Sequence, residues 1–135
     1  MPLKNFKILH RGLLKAWSKP LHCIWPGAMS GIFMQKGDAV PAWVTAGKKT
    51  VAVRIPDHRF CLELVRQVGY PLAVTSVNIS GMETHKMAQG VAEQLGPGVS
   101  LVLDGGASQR DAPSTLVDFT GTTPALLREG TLYFC

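Results

Sequence analysis

The chain has 135 residues, which suits one domain, and 46% of them are apolar, which is enough to build a core and argues against disorder. No run of about 18 apolar residues is present, so we expect no membrane-spanning segment. Fourteen basic residues against nine acidic ones give a net charge of +5.

The positive charge is concentrated in the first part of the chain. Six basic residues precede the first acidic residue, Asp38: Lys4, Lys7, Arg11, Lys15, Lys19 and Lys36. Such a stretch attracts polyanions, including nucleotides and RNA. A solvated helix face is an equally good interpretation.

Cysteine and histidine usage argues against a disulfide-stabilised protein and against a zinc-binding one. The three cysteines are odd in number and form no CxxC pair, which indicates reduced thiols in a cytosol-like compartment, and we predict a cytoplasmic protein. The four histidines have no zinc-site spacing, so no metal site is expected.

The first half of the chain is predicted to form alternating helices and strands. Apolar residues at three- to four-residue spacing predict a helix over 5–17, and a strand is expected over 31–35. Residues 51–55 alternate as a strand does, with Arg54 on the face opposite the apolar residues. A helix over 57–68 follows, with Asp57 as its N-cap and Gly69 as the glycine that terminates it.

The second half of the chain is predicted to contain more numerous and shorter secondary-structure elements. A buried strand is expected at 72–75, then a polar loop, then a helix capped by Thr84 and running to about Leu95. Four further short strands are expected at 101–103, 116–119, 125–127 and 132–134. Strands that alternate with helices indicate an α/β domain with a partly parallel sheet, and the helix at 57–68 would sit in a right-handed βαβ unit.

The polar loop at 75–81, with the letters TSVNISG, is the most unusual segment. It follows a predicted strand and leads towards a helix start, where unpaired N–H groups favour phosphate. Small hydroxyl and amide side chains would bind phosphate oxygens there. An ordinary Ser/Asn-rich turn is the alternative.

Three other residues are candidate ligand contacts. Arg54 in a strand would need an anionic partner, either a substrate carboxylate or an aspartate such as Asp104 or Asp118. Ser114 would bind a ligand or close a turn. Arg128, at a strand end, would contact phosphate or form an exposed salt bridge. No P-loop and no GxGxxG motif is present.

Taken in order, these segments resemble the YrdC-like family. The matching segments read WPG at 25–27, TVAVRIP at 50–56, PLAVTSVNISG at 71–81, LDGG at 103–106, PSTLVD at 113–118 and LREG at 127–130. The order of six motifs makes the resemblance specific.

The resemblance implies a twisted mixed sheet with flanking helices and a basic cavity, in a single YrdC-like domain over 1–135. It implies a nucleotidyltransferase that makes threonylcarbamoyl-AMP from L-threonine, bicarbonate and ATP, with Mg²⁺, for the threonylcarbamoyladenosine modification of tRNA. A separate transferase complex would use the product, and tRNA or double-stranded RNA would be a partner.

The resemblance also assigns residues. The ATP contacts would be Thr50, Ser76, Thr84 and Arg128. Threonine would be held by Arg54, the backbone of Val74, and Ser114. Ser76 and Asn78 form the Ser-x-Asn element and are the predicted catalytic pair.

Two departures from the family pattern stand out. Val77 replaces the usual alanine between Ser76 and Asn78, and the segment WPGAMS at 25–30 lacks the more usual proline and threonine after the glycine. An amino-terminal strand and a Lys-x-Arg motif of the family have no match here, so we expect an amino-terminally truncated domain.

Two other functions are consistent with the sequence. The basic first part favours a non-catalytic RNA-binding relative that keeps the basic cavity. A carbamoyl-transfer domain of the hydrogenase-maturation type would share the fold, but it would be accompanied by zinc-finger and acylphosphatase-like neighbours, which this sequence does not show.

Overall fold

The computed structural model describes residues 11–78, 85–108 and 112–132. The described helices are α1 (Arg11–Ile24), α2 (Ala42–Thr45), α3 (Arg59–Val68) and α4 (Ala88–Leu95), with a 3-10 turn at Gly96–Gly98. The described strands are β1 (Met29–Met34), β2 (Thr50–Val53), β3 (Thr115–Asp118) and β4 (Ala125–Arg128).

The chain divides into two compact units. We call Met1–Pro71 with Ala112–Cys135 the sheet unit, and Leu72–Asp111 the 72–111 unit. All four described strands belong to the sheet unit. The extent of the predicted domain, 1–135, stays a prediction.

The sheet is mixed, in the order β2-β1-β3-β4. Strand β1 pairs antiparallel with β2 and parallel with β3, and β3 pairs antiparallel with β4. The prediction of an α/β fold with a partly parallel sheet is therefore confirmed. The parallel pair is formed by strands distant in sequence, since 80 or more residues separate their register partners, such as Gly31 and Val117.

Three of the seven buried apolar residues in the core of the sheet unit are aromatic. Strand β1 alternates buried and half-buried residues, as a strand with one covered face does. The rings of Phe33 and Phe119 stack at 5.1 Å, and Trp25 lies 6.1 Å from Phe33. The buried apolar residues are Leu21, Trp25, Met29, Phe33, Ile55, Val117 and Phe119.

Helix α1 differs from the predicted helix at 5–17. Residues 1–10 lie outside the described part, and the helix continues past position 17 to Ile24, with Pro20 inside it. Proline removes one helical hydrogen bond and is usually a helix breaker. Here Leu21 is fully buried in the core, and this tertiary packing overrides the local preference against proline.

Helix α3 confirms the predicted element and corrects its details. It begins at Arg59, and its N-cap is His58 rather than Asp57, because His58 Nδ1 accepts a hydrogen bond of 3.4 Å from the Cys61 amide. It ends at Val68, and the predicted terminating glycine, Gly69, follows with a left-handed φ of 78°. None of its residues is buried, and the apolar side chains of Phe60 and Leu64 are 51% and 40% exposed.

Two predicted strands are wrong. Residues 72–75 and 101–103 form no strand, and Val74 and Leu101 are 88% and 71% exposed. The βαβ unit predicted around α3 is wrong with them, because its second strand does not form. A short apolar segment becomes a strand only where a ladder partner is available, and periodicity alone does not show one.

The remaining elements are close to the predictions. Strands β1 to β4 lie within two residues of the predicted segments, and helix α4 ends at Leu95 but begins at Ala88, with Met87 as its N-cap. Thr84, the predicted cap, lies outside the described residues, as do positions 133–134 of the last predicted strand. Leu132 is not in a strand. Helix α2 was not predicted.

No helix in the described residues combines the length and apolar character needed to cross a membrane.

Candidate functional site

Arg54 lies just beyond the end of β2 and is exposed. The prediction of a buried arginine within a strand is therefore wrong. The strand ladder ends at Val53, and the next backbone pairing is between the Gly27 amide and the Ile55 carbonyl, at 2.8 Å. The Arg54 Nε donates to the Gly27 carbonyl at 3.0 Å, so the guanidinium is anchored by a backbone acceptor rather than by burial.

The two aspartates considered as alternative partners of Arg54 each stabilise a turn. Asp104 Oδ1 accepts a hydrogen bond of 2.8 Å from the Gly106 amide. Asp118 Oδ1 accepts one of 2.8 Å from the Thr120 amide. Both are short-range Asx contacts of the kind that fix a turn.

Ser114 immediately precedes β3 and is hydrogen-bonded on both its side chain and its backbone. Its Oγ lies 2.8 Å from the Oγ of Ser30 on the neighbouring strand β1. Its carbonyl accepts two bonds from Arg128, at 3.2 Å from Nε and 2.9 Å from Nη2. Ser114 was predicted to bind threonine and Arg128 to bind ATP. The structure brings these two residues into direct contact.

The segment after β4 packs tightly against Ser114. A Cβ on Gly130 would lie 2.3 Å from the Pro113 carbonyl oxygen and 2.5 Å from the Ser114 carbonyl carbon, so only glycine fits there without movement. The Thr131 amide donates to the Pro113 carbonyl at 3.3 Å. The buried Thr115 hydroxyl donates to the Leu132 carbonyl and accepts from the Leu132 amide. Position 114 is therefore firmly fixed.

Thr50 is not near this cluster. It is the first residue of β2, where it pairs with Met34, and it is half-buried. Because Arg54 follows the other end of the same strand, four residues of extended chain separate the two, or about 13 Å. Thr50 and Arg54 therefore reach different parts of the sheet unit.

The 72–111 unit carries the other predicted residues. Val74 and Ser76 are exposed, and Asn78 is half-buried with its Oδ1 shielded from solvent. Val77, the departure from the family pattern, is 43% exposed. Thr84 lies outside the described residues. Residues 72–77 are exposed, which leaves Val74 and Ser76 accessible to a ligand.

Sequence reasoning missed the contribution of the segment after α1. The Gly27 carbonyl holds Arg54, and the Ser30 hydroxyl contacts Ser114. The available signal was the WPG turn and the serine three residues after it, which the motif comparison recognised without assigning a role. Hydrogen bonds between positions 27 and 54, or 30 and 114, have no local sequence signature.

Comparison with known proteins decides the family. A family model for the Sua5, YciO and YrdC proteins, described as "Telomere recombination", matches residues 3–130. The chain belongs to this Sua5/YrdC family. The resemblance deduced from six ordered motifs is thereby confirmed.

Curated relatives of the family carry the name threonylcarbamoyl-AMP synthase. The protein of that name from Bacillus subtilis is 41% identical over 106 residues, which is 78% of this chain and 31% of the relative. The one from Pyrococcus abyssi is 38% identical over 108 residues, or 80% of this chain and 32% of the relative. The chain thus spans about a third of the length of these two relatives.

Solved structures agree on the fold. P. abyssi Sua5 in complex with L-threonine matches with a TM-score of 0.86 and 32% identity, covering 96% of this chain and 38% of that one. Escherichia coli YciO matches with a TM-score of 0.75 at 23% identity, covering 96% of this chain and 61% of that one, and it supports the fold alone. The mixed sheet with flanking helices is that of the Sua5/YrdC family.

Proposed function

We propose that this protein is an L-threonylcarbamoyladenylate synthase. It would condense L-threonine, bicarbonate and ATP to threonylcarbamoyl-AMP and release pyrophosphate and water. The synthase name carried by relatives at 38% and 41% identity supports this assignment, and so does the L-threonine bound to a structural neighbour.

One observation carries the proposal within this chain. Arg54 and Ser114, the two side chains assigned to threonine, are distant in sequence, yet both are hydrogen-bonded to the same short segment, at Gly27 and at Ser30. An amino acid has a carboxylate and an amine on one carbon, so its receptor needs an anion-binding group and a hydroxyl at a fixed short separation. Anchoring both residues on one segment would provide that separation.

The Arg54 guanidinium would bind the threonine carboxylate. Arg54 is exposed, so its guanidinium is accessible to a carboxylate from solvent. Arginine presents five N–H donors in a planar fork that matches a carboxylate bidentately. The backbone of Val74 would complete the threonine contacts.

ATP would be bound by the residues that the family resemblance assigns to it, which are Thr50, Ser76, Thr84 and Arg128. Arg128 uses two of its five N–H donors on the Ser114 carbonyl, so three remain for phosphate oxygens. Arg128 would therefore link the nucleotide to the residue that holds threonine.

Catalysis would rest on positioning and charge stabilisation. The threonine ammonium group would lose a proton to solvent, the resulting amine would attack bicarbonate, and water would be lost as the carbamate forms. A carbamate oxygen would then attack the α-phosphorus, the bond to the β-phosphate oxygen would break, and pyrophosphate would leave. Ser76 and Asn78 would donate hydrogen bonds to phosphate oxygens as negative charge builds up on them.

Mg²⁺ would accompany ATP. No group of three or more His, Cys, Asp or Glu side chains that could hold a metal occurs in the part of the chain that the structure describes. Mg²⁺ is commonly held by substrate phosphates with few protein carboxylates. Mg²⁺ would therefore be held mainly by the phosphates of ATP.

The product would serve tRNA modification. A separate transferase complex would pass the threonylcarbamoyl group to an adenosine of tRNA, as the resemblance implies. The predicted basic cavity and cytoplasmic location stay predictions.

RNA binding without catalysis is the second candidate, and the charge distribution favours it. Among the basic residues before Asp38, Lys19 and Lys36 are exposed. Binding through phosphates would weaken steeply with salt, because each neutralised phosphate releases counter-ions. A filter-binding titration with tRNA at two salt concentrations would show this slope, and salt-insensitive or absent binding would contradict the RNA-binding function.

The synthase function is tested by calorimetry and by pyrophosphate release. L-threonine is titrated into the chain, and pyrophosphate is then measured with ATP and Mg²⁺, with and without threonine plus bicarbonate. We expect threonine binding, and pyrophosphate release that depends on both threonine and bicarbonate. Arg54→Ala should weaken threonine binding at least ~10-fold, because hydrogen bonds to charged groups contribute about 1.5–3 kcal/mol.

The matched control is Arg59→Ala, which removes another exposed arginine, at the first residue of α3. It should leave threonine affinity unchanged. A wild-type chain that does not bind threonine, or equal effects of the two substitutions, would refute the proposed function.

A further inference from the structure

The segment of residues 25–30, which runs from the end of α1 through the first two residues of β1, contacts both threonine-assigned side chains of the sheet unit. Its own conformation is fixed from several sides. The Trp25 indole N–H donates to the Met29 carbonyl at 2.8 Å in the core, and the Thr115 amide donates to the Ala28 carbonyl at 2.9 Å. A segment held in this way can act as a rigid reference for the groups bonded to it.

The Ser30–Ser114 contact differs from the others because it joins two side-chain hydroxyls. Their oxygens are 2.8 Å apart, a normal O–H···O distance, and the pair is partly buried. Each hydroxyl has one proton and two lone pairs, and it rotates to suit its partners. Contact with Ser30 therefore restricts the rotation of the Ser114 hydroxyl and fixes which of its sites face outward.

The Ser30 hydroxyl is not needed for the strand itself. Ser30 is a register partner of Leu116 in the parallel ladder between β1 and β3, which is made by backbone groups. Position 30 is half-buried, between the buried positions Met29 and Gly31. Removing its hydroxyl would leave the ladder and the core in place and would change only the hydrogen bond to Ser114.

We propose that Ser30 is a positioning residue for the amino-acid substrate and acts through the hydroxyl of Ser114. The inference rests on the proposed function, in which Ser114 holds threonine. With the carboxylate on Arg54, Ser114 faces the ammonium group, which can only donate. When Ser114 donates its proton to Ser30, both of its lone pairs are left to accept from that ammonium.

The first test is the threonine affinity of Ser30→Ala, measured by calorimetry on the full chain. We expect threonine binding about 3- to 10-fold weaker, the range for one neutral hydrogen bond, with ATP affinity changed by less than about twofold. Ser30→Thr, which keeps a hydroxyl at the same Cβ, should restore threonine affinity. A merely structural role would weaken both ligands together and would lower the melting temperature.

The matched control is Thr122→Ala, which removes a hydroxyl from an exposed loop of the same unit. It should leave both affinities unchanged. An effect on threonine binding equal to that of Ser30→Ala would overturn the inference.

The second test asks whether Ser30 acts through Ser114. Ser114→Ala should weaken threonine binding, and adding Ser30→Ala to it should cause no further loss, because the partner is already absent. Fully additive effects would overturn the inference while leaving the proposed function intact. A wild-type chain that does not bind threonine would refute the proposed function, and the inference would fall with it.

Discussion

The sheet unit and the 72–111 unit have similar apolar segments but bury them to very different extents. Every buried residue of the described chain lies in the sheet unit, among them Phe33, Phe119 and Val117. The described residues of the 72–111 unit include no buried side chain, and apolar residues such as Leu101 and Leu103 are 71% and 61% exposed.

The difference follows from strand pairing. In the sheet unit, β1 is paired on both sides, so its alternate residues are held against a common core. In the 72–111 unit, the segments 72–75 and 101–103 have strand-like sequences, but neither is a strand. Local preference for a strand is weak, and pairing and burial decide whether one forms. Stability should therefore depend on the sheet unit.

The largest expected effect comes from the aromatic core. Phe33→Ala removes a fully buried ring that stacks on Phe119 at 5.1 Å. Loss of its burial and the cavity left behind should lower the free energy of unfolding by ~3–5 kcal/mol. Leu101→Ala, in the 72–111 unit, should change it by less than ~0.5 kcal/mol, because Leu101 is already exposed.

Urea denaturation of the two variants measures this contrast. Similar losses for Phe33→Ala and Leu101→Ala would mean that Leu101 is buried in the folded protein, and the comparison between the units would not hold.

The next effect concerns the close approach at Gly130. Gly130→Ala places a Cβ 2.3 Å from the Pro113 carbonyl oxygen, so the chain around Ser114 must move, at a cost of about 1–3 kcal/mol in stability. Gly105→Ala is the matched change in the 72–111 unit, where a Cβ would meet nothing within 4 Å. Thermal melting of both variants checks the pair, and an unchanged melting temperature for Gly130→Ala would contradict the packing described here.

A somewhat smaller loss is expected from Thr115→Val. The shape of the side chain is kept, but the Leu132 carbonyl and amide lose the hydroxyl partner that they have in the buried Thr115. Leaving such groups unsatisfied should cost ~1–2 kcal/mol. Thr75→Val, at an exposed position, is the control and should be near neutral. Chemical denaturation that gives equal values for the two would show that burial does not distinguish these sites.

The smallest expected effect on stability concerns an ion pair on the surface of the sheet unit. Its side chains are exposed, as are most side chains of the 72–111 unit. Hydrogen bonds from Arg66 and then Gln67 lower the pKa of Glu63 from 4.5 to about 2. A lowered pKa adds stability above pH 4.5, and this contribution is lost as the pH falls towards 2. Because the pair is exposed, we expect almost no change in unfolding.

Nuclear magnetic resonance titration of the Glu63 carboxyl tests this assignment. Arg66→Gln should raise the pKa of Glu63 towards its ordinary value, whereas Arg59→Gln, at the first residue of the same helix, should not. A Glu63 pKa that stays near 2 in Arg66→Gln would show that another group lowers it.

Prediction from sequence succeeded where the local pattern of residue types is complete. Strand β2 was expected from its alternation, and α3 was expected from its spacing and its glycine exit. Prediction failed at Pro20, where helix α1 continues because Leu21 is buried. It also failed at Arg54, whose position past the strand end depends on where the ladder with β1 stops.

The sequence by itself determined the family and the α/β class. The six motifs occur in the order typical of the family, and their residue types are the basis of the proposed chemistry. The tertiary structure decided which segments pair and which side chains meet: Arg54 with the Gly27 carbonyl, Ser114 with Ser30, and Arg128 with the Ser114 carbonyl. The physical reason is that helix and turn signals are local, whereas these hydrogen bonds join residues that only folding brings together.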